Sequence, residues 1–335
     1  MTTRRSCLLG AAALVPALSS TPAWAQGAGD AMQVVRLDPA LDVLIAPDAK
    51  IERVATGFTF VEGPMWRRGR LWFSDLGGDQ MNAVSPDGKV ELLLDKAGGR
   101  PRPWPTGNLG SNAMATDKDG AVLMCRQGGR TIVRLDDQLR IHPFLSEYQG
   151  KKLNSPNDLV FAQDGALWFT DPPFGLAKMD KDPEKELPFD AVFRYADGKL
   201  DPVITDFTTP NGIGFSPDGR TLYVSNYGPD MYVKAFDVGP GGKLSGARTL
   251  ISYTRGQGRG GPDGLKIDTL GNLWSTGPGG IRIITPQGKV LGQLKLPEVA
   301  ANLAFAGDWR TLYITASTSV YRLRLKVRGE KPLYA

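Results

Sequence analysis

A hairpin phrase that returns six times constrains this chain more than any other feature. Each copy joins a turn, usually Asp-Gly or Gly, to an apolar strand that in most copies carries an aromatic residue. The turns are centred on Gly69, Gly120, Gly165, Gly219, Gly271 and Trp309. They lie between 38 and 54 residues apart, and short strands repeating every ~40–50 residues are typical of a propeller with one four-stranded blade per repeat. The sequence therefore predicts an all-β, six-bladed β-propeller.

A second set of turns falls between the first and predicts the outer hairpins of the blades. These turns are Pro86–Val90, Asp197–Leu200, Gly242–Leu244 and Gln287–Val290. After the sixth phrase the chain has room for only about two strands, so the last blade needs strands from elsewhere. We expect Leu41–Ala46 and Ile51–Thr56 to complete it and close the ring. The predicted domain is a single propeller over residues 41–335, after a lead-in over residues 26–40. A β-sandwich is the alternative, but it would not maintain a ~50-residue repeat.

Residues 1–25 have the pattern of an export signal, which predicts a periplasmic or secreted protein. Arg4 and Arg5 precede an apolar run and the cleavage pattern Ala23-Trp24-Ala25. The paired arginines favour the twin-arginine route, with an ordinary Sec signal as the alternative. Cleavage would lower the net charge from +5 to +3, too little to indicate nucleic acid binding. No later stretch approaches the ~20 apolar residues of a membrane span. Cys125 would be the only cysteine left, so no intrachain disulfide is expected.

A polar side chain opens the apolar strand before each of the six turns. These residues are Glu62, Asn112, Asn157, Asn211, Asp263 and Asn302. The strand that leads into a repeated hairpin is expected to be innermost in its blade, so the six side chains should face one mouth of the central channel. Carboxylate and amide oxygens are ligands for a hard cation, and two carboxylates match one divalent ion on the axis. The alternative is a turn residue that bonds its own backbone, which applies most to Asn112 and Asn302.

Ca²⁺ suits a site assembled from several blades, because it tolerates irregular geometry. Zn²⁺, Mn²⁺, Mg²⁺ and Fe²⁺ are left open. His142 is the only histidine of the chain, which excludes a His-rich zinc site and disfavours a Ser-His-Asp triad. The sequence has no Gly-x-Ser-x-Gly elbow and no phosphate-binding loop. Any catalysis would therefore rely on a metal and carboxylates.

Several phrases together resemble the bacterial gluconolactonase branch of the senescence marker protein (regucalcin)/gluconolactonase family. The matching phrases are Glu62–Trp66, Leu153–Asp158, Phe169–Gly175, Pro210–Gly212 and Gly261–Gly264, and the resemblance spans nearly all of residues 51–325. It implies a six-bladed propeller with a divalent metal, in a family whose members include sugar lactonases. It implies that Glu62, Asn211 and Asp263 are metal ligands, that Asn157 is a ligand or a substrate contact, and that Asp263 is the candidate base or water-orienting group.

The chain departs from the family pattern at the wall of blades two and three. Arg126-Gln127 stands where family members often have Glu-His, and Asn112-Ala113 where many have Asn-Gly. These changes leave the metal residues intact and put gluconolactone itself in doubt as the substrate. We assign the residues as follows: metal ligands Glu62, Asn157, Asn211 and Asp263; catalytic residues Asp263 and Asn157; substrate contacts Asn112, Gln127, Asp171, Phe174 and Asn302.

The function predicted from these residues is metal-assisted hydrolysis of a lactone, with Asp263 as base. The expected partner is a small-molecule substrate, and the chain is expected to be a monomer or a weak homo-oligomer. One alternative is hydrolysis of phosphotriesters or aryl esters at the same metal. Another is a non-catalytic, ligand-binding propeller with structural Ca²⁺. A condensing enzyme like strictosidine synthase is a further alternative, disfavoured by the two acids. We expect the loops over residues 97–110 and 176–189 to roof the pocket.

Overall fold

The computed structural model of this protein describes residues 32–104, 107, 109–254 and 256–335. The predicted export signal, residues 1–25, lies outside them. Export therefore stays a prediction, which N-terminal sequencing of the mature protein would check. In the part of the chain that is described, no helix is long and apolar enough to cross a membrane.

Six antiparallel sheets, each with four blade strands, surround a central channel, which confirms the predicted propeller. Strands are numbered in chain order, and each blade is described from its inner to its outer strand. They are, in blade 1, β3 (Val61–Arg67), β4 (Arg70–Asp75), β5 (Gln80–Val84) and β6 (Val90–Asp95); in blade 2, β7 (Ser111–Thr116), β8 (Val122–Arg126), β9 (Thr131–Leu135) and β10 (Ile141–Leu145); in blade 3, β13 (Leu159–Phe161), β14 (Leu167–Asp171), β15 (Ala191–Ala196) and β16 (Lys199–Ile204); in blade 4, β17 (Pro210–Phe215), β18 (Thr221–Asn226), β19 (Met231–Val238) and β20 (Leu244–Tyr253); in blade 5, β21 (Leu265–Ile267), β22 (Leu273–Gly277), β23 (Gly280–Ile284) and β24 (Val290–Lys295); and in blade 6, β25 (Ala300–Ala306), β26 (Thr311–Ala316), β27 (Ser319–Arg324) and β2 (Ile51–Thr56).

The repeated turns occupy the places predicted for them. The first set joins the inner two strands of each blade, and the second set joins the outer two strands of blades 1, 3, 4 and 5. The first strand of every blade contacts the first strand of the next, and β25 contacts β3 to close the circle. We call the end of the channel where these inner strands begin the near mouth, and the other end the far mouth.

The ring is closed by the strand at Ile51–Thr56, as predicted. β2 pairs antiparallel with β27, and Ile51 lies opposite Leu323. The expectation of a second strand at 41–46 is wrong, because Leu41–Leu44 forms a short helix, α1. Its buried residues Leu41 and Leu44, and Ile45 directly after it, follow helical spacing and pack on blades 5 and 6.

The remaining elements lie at the edges of the propeller. β1 (Gln33–Arg36), within the predicted lead-in, adds a fifth strand to blade 5 by pairing with β24. A two-stranded hairpin of β11 (Glu147–Tyr148) and β12 (Lys151–Lys152) follows blade 2. Short 3₁₀ turns occur at Met179–Lys181 and Pro240–Gly242.

The C-terminal tail crosses the far mouth of the channel. Gly329 bridges to Asp268 of blade 5, and the Tyr334 ring packs edge-on against Phe161 of blade 3 with 5.0 Å between ring centroids. A Cβ atom at position 329 would overlap the Phe305 ring, so only glycine lets the tail pass this close to blade 6. The tail thus lies between residues of three blades at the end of the channel opposite the polar residues.

Candidate active site

A cavity of about 270 Å³ opens at the near mouth and gathers most of the predicted site residues. Seven of them line it: Glu62, Asn112, Gln127, Asn157, Phe174, Asn211 and Asp263. Its wall also includes Phe60, Leu76, Gly107 and Tyr227. Gly107 belongs to the loop over 97–110 that was expected to roof the pocket. The two other predicted substrate contacts, Asp171 and Asn302, are not among the described residues that line it.

Local irregularities in the inner strands lie at the polar residues of the site. The pairing of β3 with β4 shifts register between Glu62 and Met65. The pairing of β17 with β18 shifts between Pro210 and Ile213, on either side of Asn211. A bulge bends a strand and can re-aim a side chain, so the bulges place Glu62 and Asn211 where they line the cavity. Asp263 stands two residues before β21 and needs no bulge.

Glycines that follow the site residues let neighbouring inner strands come close together. Gly63 has φ +57°, and a Cβ there would overlap the carbonyl oxygen of Asn112 in the next blade. A Cβ on Gly212 would overlap the carbonyl oxygen of Asp263 in the same way. The Glu-Gly and Asn-Gly pairs therefore bring oxygen-bearing residues of successive blades near one another.

Hydroxyl groups on the second strands hold the backbone of the site. Ser225 Oγ accepts from Gly212 N–H (2.7 Å) and donates to the carbonyl of Asp263 (2.7 Å). Thr276 Oγ1 accepts from Asp263 N–H (2.8 Å). Because these contacts fix the main chain of Asp263 at two atoms, its carboxyl group is left for other partners.

Several site oxygens are buried without a donor. Glu62 is 2% exposed; its Oε2 accepts from Gly63 N–H, whereas Oε1 has no hydrogen-bond partner within the described structure. The same is true, among described residues, of the side-chain oxygens of Asn112, Gln127 and Asn211. A buried acceptor without a donor is costly, and several such oxygens around one cavity could hold a cation.

Burial raises the pKa of both acids of the site. The pKa of Glu62 rises to about 7, and the nearby carboxylate of Asp158 adds to this rise. The pKa of Asp263 is raised well above its usual range by burial and then by Glu62 beside it. In the described part of the chain no group of three His, Cys, Asp or Glu side chains could by itself hold a metal ion, so asparagine oxygens would have to complete a ligand set.

Asp171 and Asn302 bond to other parts of the protein. Asp171 is fully buried, and its two oxygens accept from the N–H groups of Asn154 (2.7 Å) and Ser155 (2.8 Å). It therefore holds the loop that leads to Asn157. Asn302 Oδ1 accepts from Leu303 N–H (2.8 Å) and Lys266 Nζ (3.3 Å).

The two altered residues of blade 2 have different surroundings. Gln127 lines the cavity. Arg126 donates from Nε to the carbonyl of Ala97 (2.8 Å) and so holds the start of the loop over residues 97–110. His142 lies on β10, the outermost strand of the blade, where it is exposed and 3.0 Å from Asp136.

Besides Phe60, which precedes β3 by one residue, three residues in or near the site were not predicted. Leu76 and Tyr227 each follow the second strand of a blade, as Gln127 does, so extending the repeat by one residue would have identified them. Asp158 directly follows Asn157 and is 3% exposed. The prediction took one polar residue for each inner strand and therefore omitted Asp158, although the sequence shows an acid directly before this strand.

Comparisons with known proteins agree with this fold. The model of the SMP-30/gluconolactonase/LRE-like region matches residues 60–318. A gluconolactonase of Zymomonas mobilis is 36% identical over 97% of this chain and 98% of its own. The solved structure of a gluconolactonase of Xanthomonas campestris superposes with a TM-score of 0.77 at 33% identity, covering 89% of this chain and 96% of that one. Regucalcin of Agrobacterium tumefaciens, a calcium-binding protein, shares the fold at 20% identity, with a TM-score of 0.67 over 85% of this chain and 97% of that one. The chain belongs to the SMP-30/gluconolactonase/LRE-like family.

Proposed function

We propose that this protein hydrolyses a lactone with the help of one divalent cation, for which Ca²⁺ is the best candidate. The observation that carries the proposal is the meeting of Glu62, Asn157, Asn211 and Asp263, from four blades, in one cavity. Membership of a family with gluconolactonase relatives supports the lactone as the substrate class. Gln127 lines the cavity where family members often have His, so the proposal does not extend to gluconolactone itself.

The proposed ligand set fits a hard cation. Its donors are two carboxyl and two amide groups, and Glu62 Oε1 and Asn211 Oδ1 have no protein donor among the described residues. A cation would satisfy these oxygens and offset the cost of burying two acids side by side. Ligands drawn from separate blades favour Ca²⁺, which accepts six to eight oxygens in irregular geometry.

The protein side chains would divide the chemistry between them. A bound cation would polarise the lactone carbonyl as a Lewis acid. Asp263 would take a proton from the attacking water, whose oxygen bonds to the carbonyl carbon. The ring C–O bond then breaks, and the proton passes to the released alkoxide, which gives a hydroxy acid. The amides of Asn112 and Gln127 would orient the substrate. The rings of Phe174 and Tyr227, 6.1 Å apart, would form an apolar wall.

Metal content and substrate range test the proposal together. Protein stripped of metal with a chelator would be assayed with and without Ca²⁺ on a sugar lactone, an unsubstituted lactone, an aryl ester and a phosphotriester, by acid release. We expect lactone hydrolysis that stops on chelation and returns with Ca²⁺. Faster turnover of the aryl ester or phosphotriester would favour the alternative function, hydrolysis of those esters at the same metal. A filled metal site without turnover would contradict catalysis and support a ligand-binding propeller.

Substitution of the two acids locates the chemistry. We expect Glu62→Gln and Asp263→Asn each to lower turnover about 100-fold or more, because each removes charge from the set that holds the ion. Exposed acids serve as matched controls: Glu91→Gln and Asp119→Asn, whose side chains are 57% and 56% exposed, should leave turnover unchanged. Circular dichroism would show whether the ring stays folded. Wild-type activity in either site variant after metal removal would refute the proposal.

A further inference from the structure

Lys266 places an ammonium group inside the channel, just below the cavity. It lies on β21, between the buried residues Leu265 and Ile267. Because side chains alternate along a strand, Lys266 points away from the cluster in which those two pack. Its Nζ donates to Asn302 Oδ1 of blade 6 (3.3 Å) and to its neighbour's carbonyl at Leu265 (2.9 Å). It also lies 3.8 Å from Asp158 Oδ2 of blade 3. Lys266 therefore links three blades through the channel.

Asp158 adds a third acid to the group on the axis. Its carboxylate raises the pKa of both Glu62 and Asp263, so it lies within electrostatic reach of the two proposed ligands. Lys266 has the opposite effect on Glu62. Three carboxylates carry three negative charges, and one divalent cation would leave one of them unbalanced. The ammonium of Lys266 supplies the matching positive charge.

Lys266 also lies at a second cavity. This cavity, of about 280 Å³ at the far mouth, is lined by Lys266 together with Ile267, Phe305 and the C-terminal tail. The ammonium group that contacts Asn302 and Asp158 thus belongs to a residue that lies between the polar site and a cavity with apolar lining residues.

We propose that Lys266 is a fixed counterion for Asp158. Its positive charge balances one of the three carboxylates of Glu62, Asp158 and Asp263, so that a single divalent cation neutralises the other two. Lys266 is a positioning residue in this proposal, because it acts on the proposed ligands through Asp158 and through charge. The inference rests on the cation site of the proposed function.

Calorimetric titration of metal-stripped protein with Ca²⁺ at pH 8 tests the inference. We expect Lys266→Met to bind Ca²⁺ on the order of tenfold more tightly, because a nearby positive charge is lost, and Asp158→Asn to bind it less tightly by a similar factor. The double variant should return to within about threefold of the wild type. Lys266→Arg, which keeps the charge, should stay close to the wild type. Lys199→Met removes the same charge from a side chain that is 76% exposed, and it should bind like the wild type.

The outcomes separate this inference from the cation site itself. Unchanged or weaker Ca²⁺ binding by folded Lys266→Met, or a double variant no nearer to the wild type, would overturn the role of Lys266. If Lys266→Met does not fold, unchanged binding by Asp158→Asn would overturn it equally. A wild type that binds no divalent cation would instead contradict the proposed function. In that case the melting temperatures of the metal-free proteins still test the pairing of Lys266 with Asp158. The double variant should melt above Lys266→Met, and a double variant that melts below Lys266→Met would refute the pairing.

Discussion

At the scale of single residues, Asp171 shows how a buried acid can fix the main chain of a neighbouring loop instead of contacting a substrate. Both of its oxygens are bound by N–H groups of the loop before Asn157. Burial raises its pKa from 3.8 to about 7, against the effect of those two N–H donors. Its charged form is therefore less favourable in the folded protein than in the unfolded chain.

This raised pKa predicts a pH dependence of stability. The contribution of Asp171 is fully present below about pH 4 and is lost as the pH rises through 7, because the folded state holds the proton more tightly. We expect the free energy of unfolding of Asp171→Asn, relative to that of the wild type, to rise between pH 4 and pH 8. Urea unfolding at several pH values measures it, with the exposed Asp119→Asn as control. A difference that does not change with pH would contradict the prediction.

The sequence allowed most of the cavity to be predicted, because its polar residues recur at one position of a repeat. Glu62, Asn211 and Asp263 follow that pattern and line the cavity. The pattern could not reveal that Asn302 is held by Lys266, since this contact joins two blades. The hydrogen bonds of Asp171 to Asn154 and Ser155 depend in the same way on how the loop folds back.

At the scale of elements, the inner strands of neighbouring blades approach each other through glycine. Gly63 lies at the irregular part of β3 and faces the Asn112 carbonyl of β7. A larger residue there would separate the inner strands of blades 1 and 2. The same change would displace Glu62, the residue directly before it.

We expect Gly63→Ala to lower the free energy of unfolding by about 2–4 kcal/mol, because it adds a backbone clash to the strain of a positive φ. Gly69→Ala is the matched control. Gly69 also has a positive φ, +76°, but a Cβ there would meet nothing within 4 Å in the described structure, so only about 1 kcal/mol should be lost. Urea unfolding compares the two, and equal losses would show that the close approach carries no cost.

Strand positions were easier to predict than the segment before them. The hairpins carry turn residues at regular intervals, and the structure places strands around every one. Leu41–Leu44 has no repeat to guide it. Its apolar residues at positions 41, 44 and 45 follow helical spacing, and Asp38 Oδ1 accepts from Ala40 N–H (2.9 Å) just before the helix. These signals are local and short. The prediction gave more weight to the missing strands of the last blade and therefore assigned a strand to this segment.

At the scale of the whole molecule, the propeller depends on a strand from the beginning of the chain. Blade 6 takes three strands from the C-terminal end and its outer strand from β2. Without β2 the edge of β27 would be unpaired, and an unpaired edge favours aggregation.

A truncation series tests this dependence. Removal of residues 1–57 takes away β1, α1 and β2, and we expect the product to lose cooperative thermal unfolding or to aggregate, because blade 6 is left with three strands. Removal of residues 1–31 keeps all of these elements and should melt like the full chain. Circular dichroism melts and size-exclusion chromatography compare the two. A cooperative, monomeric 58–335 fragment would show that ring closure contributes little.

The pairing of Ile51 with Leu323 also has a consequence for the order of events in folding. A contact between residues so far apart in sequence forms late, because a long loop must close first. Blades 1 to 5 draw their four strands from continuous stretches of chain, so they can form while synthesis continues. Blade 6 must wait until its last strand has left the ribosome, and during that interval β2 has no partner. The newly made protein is therefore most vulnerable to proteases and to self-association just before its final blade is completed.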